Sequence, residues 1–217
     1  MRIFIDFDDV IFNTKKFKDD FEKLFVAHGI SEDIFREHYY DPADNGKIKI
    51  FDADLHAKRI QDATGIDTSN IVNDLDEFLR DISKYVFPDV LKFFNDVGKD
   101  NVFVVSFGGI DFLKRKIEGS GISNHVKNIK VIDYEKSKAI AELMEDSNVV
   151  ANEKLFFLDD RIEQIRDVKE KFPDIISILI KRPEGRYQEM CKEACCNLEA
   201  HNLKEAQKII EKHDFEI

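Results

Sequence analysis

The sequence predicts an α/β protein: a parallel sheet covered by helices on both faces, with a smaller all-helical unit inserted after the first strand. Three observations carry this. Five short apolar runs recur along the chain, each rich in β-branched or aromatic residues, as strands buried on both faces require. Amphipathic stretches separate the later runs, the spacing of crossover helices between parallel strands. From about residue 15 to about 86 this alternation stops and only helical patterns remain.

"RIFIDF" opens the chain as the first strand. "KKFKDDFEKLFVAHG" then places Phe17, Phe21, Leu24 and Phe25 on one helical face and stops at Gly29, a natural helix end. "DPADNGK" (41–47) reads as irregular loop, and "DADLHAKRIQDATG" repeats the helix-then-glycine signature. "NIVNDLDEFLRDISKYV" predicts a helix over 70–86, and Pro88 marks the return to the sheet. "NVFVVSF" (101–107), "NIKVID" (128–133), "KLFFLDD" (154–160) and "IISILIK" (175–181) are the remaining strands of an open sheet. "FLKRKIEGSG", "KSKAIAELMED" and "RIEQIRDVKEKF", the last stopped by Pro173, are the crossover helices between them. Asn202 followed by Glu205 marks a further helix start, and "LKEAQKIIEKH" closes the chain. The expected division is a Rossmann-like three-layer α/β/α domain over 1–14 and 87–217, with the α-helical unit over 15–86.

Length and composition allow this. A chain of 217 residues buries a sizeable core, and 43% hydrophobic with 35% charged residues argues against disorder. No apolar run approaches the roughly 20 residues that cross a bilayer. The first apolar run is broken by Asp6 and Asp8, unlike a signal peptide, so a cytoplasmic location is expected. With 33 basic against 44 acidic residues, the net charge of −11 opposes broad contact with nucleic acid or anionic membrane, and neither is an expected partner. A small anionic substrate would need a local basic pocket or a metal ion.

Cys191, Cys195 and Cys196 are odd in number and clustered, which suits reduced thiols. Cys191 and Cys195 would share a face of a helix, with His201 nearby, yet no paired CxxC spacing supports a metal site, and packing is the simpler account. Solvated charge is likewise the simpler account of Lys181, Arg182 and Arg186 in "IKRPEGRY", with attraction of an anionic substrate the alternative. His28, His38 and His56 lack metal spacing and read as surface or packing residues of the helical unit.

The chemistry-bearing residues gather at one place. Ligands of open α/β sheets bind beyond the carboxyl ends of the strands. Asp6, Asp8 and Asp9 follow the first strand, Ser106 ends the second, Lys136 and Lys138 follow the third, and Asp159 and Asp160 end the fourth. Three carboxylates within four residues repel one another unless donors or a cation compensate them, so something positive is expected beside "DFDDV". Brought to one edge, these groups predict a metal and phosphate site. Each alone reads as an ordinary turn, cap or surface residue; their order and common placement carry the functional reading.

The order resembles that of the haloacid dehalogenase superfamily, whose phosphatases carry an Asp-x-Asp-x-Thr/Val motif, a Ser/Thr, a Lys and an acidic pair. "DFDDV" supplies Asp6, Asp8 and Val10, "VVSFGG" Ser106, "EKSKAIAEL" the lysine, and "FFLDD" Asp159 and Asp160. The helical unit falls where that family inserts a cap. The resemblance implies a Mg²⁺-dependent hydrolase of a small phosphorylated molecule, with Asp6 as nucleophile and Asp8 as acid/base, also lending a backbone carbonyl to the metal. It further implies Asp160 and Asp159 beside Asp6 at the metal. Ser106, the amides near Phe107, Gly108 and Gly109, and Lys136 in preference to Lys138 would hold the phosphate. Asp9 stands where the family often has glycine. Family dehalogenases lack the second aspartate, so Asp8 favours phosphate chemistry. Two alternatives stay open: a catalytically silent protein binding a phosphorylated ligand or partner, and a receiver-type phosphoacceptor, which the insertion after the first motif disfavours.

Overall fold

The structure, a computed structural model, describes residues 1–42, 50–146, 153–189 and 192–215. Its sheet contains β1 (Arg2–Ile5), β2 (Val102–Phe107), β3 (Asn128–Ile132), β4 (Leu155–Asp159), β5 (Ile176–Ile180) and β6 (Leu198–Ala200), all parallel, in the order β3-β2-β1-β4-β5-β6. The chain builds outward from β1 in one direction and then restarts at β4 on its other side. The crevice between β1 and β4 is thus the switch point at which such sheets bind ligands.

Alternation along the strands sorts their side chains onto two faces. Phe4, Phe103, Val105, Phe157 and Leu179 pack with α7 (Lys136–Asp146) and α8 (Ile162–Lys171). Ile3, Ile5, Val104, Leu158 and Ile178 face the other way, toward α5 (Val90–Val97), α6 (Ile110–Gly119) and α9 (Leu203–Phe215). This is the three-layer Rossmann-like arrangement. Between β1 and β2 the chain inserts α1 (Thr14–Ala27), α2 (Glu32–Glu37), α3 (Ala53–Thr64) and α4 (Ser69–Arg80). Their apolar faces, including Phe17, Phe21, Phe25, Ile60 and Leu75, join the second cluster without a break.

Several elements differ from the sequence expectation for local reasons. The helix expected over 70–86 ends at Arg80. The Asp81 side chain accepts from Ser83 N and Oγ, and Ile82 N donates to Gly119 O, so the backbone leaves the helical ladder. Gly119 permits that approach, because a Cβ there would sit 1.9 Å from Leu79 O. α2 and α5 are additional helices, and β6 is a sixth strand, held by pairing with β5. The segment around Cys195 and Cys196 is not helical; the two sulfurs lie 4.0 Å apart, and Cys191 falls outside the described residues, as do residues 43–47 of the expected 41–47 loop. The start of α9 is as read from the sequence: Asn202 Oδ1 accepts from Glu205 N, and Asn202 Nδ2 donates back to Glu205 Oε1.

Candidate active site

The segment after β1 folds back at once. Ile11 N and Phe12 N both donate to Phe7 O, and Asp9 N to Phe12 O, closing a tight turn that presents Asp6, Asp8 and Asp9 in different directions. Asp9 has φ of 56°, a left-handed conformation that aspartate tolerates better than most side chains. Its carboxylate repays the strain locally, accepting from Thr14 N and from Arg186 Nε.

Each of the three crowded acids meets a different cation from a distant part of the chain. Lys136 Nζ, at the start of α7, lies 2.6 Å from Asp6 Oδ1 and 2.6 Å from Asp159 Oδ2. Lys116 Nζ, from α6, lies 2.5 Å from Asp8 Oδ1, which also accepts from Thr14 Oγ1 at 2.8 Å. Arg186 Nε lies 2.5 Å from Asp9 Oδ2. Lys116 and Lys136 are buried, so each ammonium depends on its carboxylate. Lys116 also sits 4.5 Å from the Phe12 ring centroid and 4.9 Å from that of Phe17. The crowding of "DFDDV" is therefore largely answered by the chain's own cations.

Asp160 is the exception. It is buried, and neither carboxylate oxygen has a hydrogen-bond partner among the described residues. One ligand atom from each of Asp6, Asp159 and Asp160 falls within 4.8 Å of the others. Orphaned buried carboxylate oxygens carry a large desolvation cost unless a proton or cation meets them. Burial pushes the Asp160 carboxyl well up, and the neighbouring Asp159 and Asp6 charges push it further. Burial also lifts Asp6 to about 7, against the pull of Lys136 and with help from Asp159 and Asp8. A hard divalent cation taking oxygen ligands fits this donor set. Asp159 already accepts from Lys136 on Oδ2 and from Arg161 N on Oδ1, so it orients its neighbours as well as adding charge. The Asp8 carboxylate is not part of the cluster. Burial would raise it, but Lys116 and Arg186, with hydrogen bonds from Lys116 and Thr14, hold it below the usual carboxylate range.

These groups line a cavity of about 270 Å³. Asp6, Asp8, Asp160, Lys116 and Lys136 form its floor, with Phe107, Gly108 and Gly109 from the loop after β2 at one side. The inserted helical segment supplies the opposite wall through Phe17, Tyr39, Tyr40 and Phe51. Tyr39 and Phe51 stack with centroids 4.2 Å apart. The wall closes tightly on the loop: a Cβ on Gly109 would sit 2.7 Å from Phe51 O.

The fold is similar to that of solved haloacid dehalogenase-like proteins. It matches a haloacid dehalogenase-like hydrolase from Burkholderia xenovorans with a TM-score of 0.76 at 14% identity, covering 97% of this chain and 96% of that one. It matches an L-2-haloacid dehalogenase from Xanthobacter autotrophicus with a TM-score of 0.63 at 13% identity, over 97% and 98% of the two chains. A HAD-hydrolase from Bacillus subtilis, bound to magnesium and showing interdomain movement, matches with a TM-score of 0.62 at 13% identity, over 96% and 97%. No family model and no curated protein matches the sequence.

Within this haloacid dehalogenase-like fold, the structure brings Asp6, Asp8, Phe107, Gly108, Lys136 and Asp160 to one cavity, with Asp159 buried beside them. Lys138 points elsewhere, its Nζ 5.2 Å from the Tyr134 ring centroid. Ser106 is buried, its Oγ has no partner among the described residues, and it does not line the cavity. Arg182 and Arg186 are not solvated charge. Arg182 is buried against Asp89 and Val10 O, while Arg186 lines the cavity. His56 is a packing residue, buried among aromatic rings with Nε2 2.9 Å from Phe35 O. Lys116 escaped the sequence reading although it left a signal. It stands on the apolar stripe of α6 with Phe112, Leu113 and Ile117, where an unpaired lysine would be costly.

No helix among the described residues is long and apolar enough to cross a membrane.

Proposed function

We propose that this protein is a Mg²⁺-dependent phosphatase that hydrolyses a small phosphomonoester through a phosphoryl group held on Asp6. The reading rests on one observation above all: Asp6 and Asp8 line the same cavity as an orphaned, buried Asp160. Asp8 is the acid that dehalogenases of the resembling family lack. In this reading residues 1–14 and 87–217 carry the chemistry, and 15–86 act as a cap that closes over it.

Mg²⁺ held by Asp6, Asp160 and the Asp8 carbonyl, with Asp159 adding charge, would neutralise the phosphate and the nucleophile together. A carboxylate oxygen of Asp6 attacks phosphorus, and the bond from phosphorus to the leaving oxygen breaks. Asp8 gives its proton to that oxygen. Lys116 keeps Asp8 low in the empty site, and the arriving phosphate charge raises it toward its protonated form. Asp8, now a carboxylate, takes a proton from the water that attacks phosphorus, and the phosphorus bond to Asp6 breaks. Lys136, the amides of Phe107 and Gly108 and the Ser106 hydroxyl serve the phosphate oxygens. Ser106 would do so from beneath the cavity wall, with its unpartnered Oγ turned to use by a small rearrangement. The phenyl, tyrosyl and leucyl walls exclude water from the reacting atoms.

The test is a direct comparison of phosphate release from a phosphomonoester panel and chloride release from 2-chloropropionate, each with Mg²⁺ and with chelator. Chelator-sensitive phosphate release without chloride release is the expected result. Chloride release with no phosphate release overturns the proposal.

A further inference from the structure

The cations that line the cavity are Lys116, Lys136, Arg161 and Arg186. Lys136 is committed to Asp6 and Asp159, Lys116 to Asp8, and Arg186 to Asp9. Among the described residues, Arg161 has no comparable partner. Its side chain lines the cavity directly after Asp160 and is 22% exposed. Its Nε is buried without a hydrogen bond, and Glu163 Oε2, the carboxylate it faces, lies 3.8 Å away on a half-exposed side chain. Arg161 and Arg186 also converge on one ring: their guanidinium carbons lie 5.5 Å and 5.3 Å from the Tyr187 centroid. A buried donor left without an acceptor costs stability, so the Arg161 guanidinium favours an anion beside it, and Arg186 at the same ring adds positive charge.

We propose that Arg161 and Arg186 form a second anion subsite, so that the substrate is a small phosphomonoester whose leaving group carries a further carboxylate or phosphate. The inference rests on the phosphatase reading and narrows it. The scissile phosphate occupies the floor at Asp6 and Lys136, and the second anion lies at Arg161, beside Tyr40 and Tyr187. The apolar surface of Tyr39, Phe51 and Phe112 borders the space between and suits a short apolar spacer. A guanidinium presents a planar set of donors that matches either anion, so the arginines select the second charge without choosing its chemistry. The limited cavity volume sets an upper bound on the spacer.

Binding separates this inference from the failure of catalysis, because it needs no turnover. Propyl-, butyl- and pentylphosphonate are titrated by calorimetry into the Mg²⁺-loaded protein, alongside their counterparts with a terminal carboxylate or a terminal second phosphonate. At one chain length, a terminal anion is expected to tighten binding by about tenfold or more, and the better anion identifies the natural chemistry. Arg161→Met should remove that gain and leave plain alkylphosphonates unchanged. Arg161 is exposed enough for the variant to fold, which thermal denaturation verifies. Equal affinity for plain and terminally charged ligands at every length, or no binding of either, overturns the inference. So does an equal loss for both in Arg161→Met, which would assign the arginine to the scissile phosphate. If plain phosphomonoesters are hydrolysed but a terminal anion brings no gain, the phosphatase reading stands and this inference falls. If terminally charged phosphonates bind tightly and no phosphomonoester is hydrolysed, the subsite stands and the phosphatase reading falls.

Discussion

The floor and the roof of the cavity are built by opposite means. The floor is made of strand ends and helix starts, and it holds a dense set of charges: buried Asp6, Asp159 and Asp160 and half-buried Asp8 against buried Lys116 and Lys136. The roof is made of helices and their connections, and it holds aromatic rings packed edge to face or stacked, with Phe21, Phe25, Phe35, Phe51 and Tyr39 around a buried His56. Charges placed on a sheet edge are fixed by backbone register and cannot drift, as the hydrogen bond from Asp6 N to Leu158 O shows. Aromatic packing is less directional and yields to substitution. The floor is suited to chemistry and the roof to selection.

The largest expected effect falls on the floor. Lys136→Met leaves Asp6 and Asp159 buried without their shared cation, and breaking a buried pair in this way costs about 3–5 kcal/mol. The urea midpoint of the metal-free variant should fall accordingly, and Mg²⁺ should restore more stability to the variant than it adds to the native protein. A variant as stable as the native protein without metal would show that the floor charges are not interdependent.

The two regions should also answer pH in opposite directions. Asp6 is raised above its unfolded value to about 7 in the metal-free protein, so its contribution is complete below the unfolded value and is lost as pH rises through about 7. Bound Mg²⁺ replaces the proton, so its affinity should strengthen by up to about tenfold per pH unit below 7 and level off above it. Calorimetry at several pH values checks this, and an affinity that does not change with pH contradicts it. His56 is pushed down to about 4 by burial, against the help of its hydrogen bond to Phe35 O. Its contribution is present above the unfolded value near 6.5 and is lost as pH falls toward 4. Thermal melts of the native protein and of His56→Gln across that acid range should converge as pH falls; a constant gap between them removes His56 from the account.

The smallest effect belongs to the roof. Phe51→Ala removes the ring stacked on Tyr39 while leaving every charge of the floor in place. KM for the preferred substrate is expected to rise by about tenfold with kcat little changed, the signature of lost uniform binding. A matching fall in kcat with KM unchanged would mean that the roof takes part in the chemical step.

The same contrast explains what the sequence disclosed. Strand ends are legible because an apolar run that stops at a polar residue marks both an element and an edge, and so the sequence alone gathers Asp6, Lys136 and Asp160. α5 is equally legible, since Val90, Phe93, Phe94 and Val97 recur at helical spacing before Gly98. β6 was not legible: three residues with no alternation become a strand only because β5 offers them an edge. Cross-element pairings were invisible for a different reason. Nothing in "FLKRKIEG" shows that Lys116 will meet Asp8 across a sequence separation of 108 residues, nor in "RPEGRY" that Arg186 will meet Asp9 across 177. Those partners are fixed by topology, so the sequence shows that something positive must stand beside "DFDDV" without showing that Lys136, Lys116 and Arg186 supply it.

The central claim is that Asp6 carries the phosphoryl group, and acid quenching during turnover tests it most directly. The protein is mixed with Mg²⁺ and a hydrolysed phosphomonoester, quenched within the first turnover, digested and examined by mass spectrometry. The account expects a phosphoryl group on the peptide containing Asp6, absent from Asp6→Asn, whose turnover should fall by about 10⁴-fold or more. Product formation with that peptide unmodified, or turnover retained in Asp6→Asn, would contradict it.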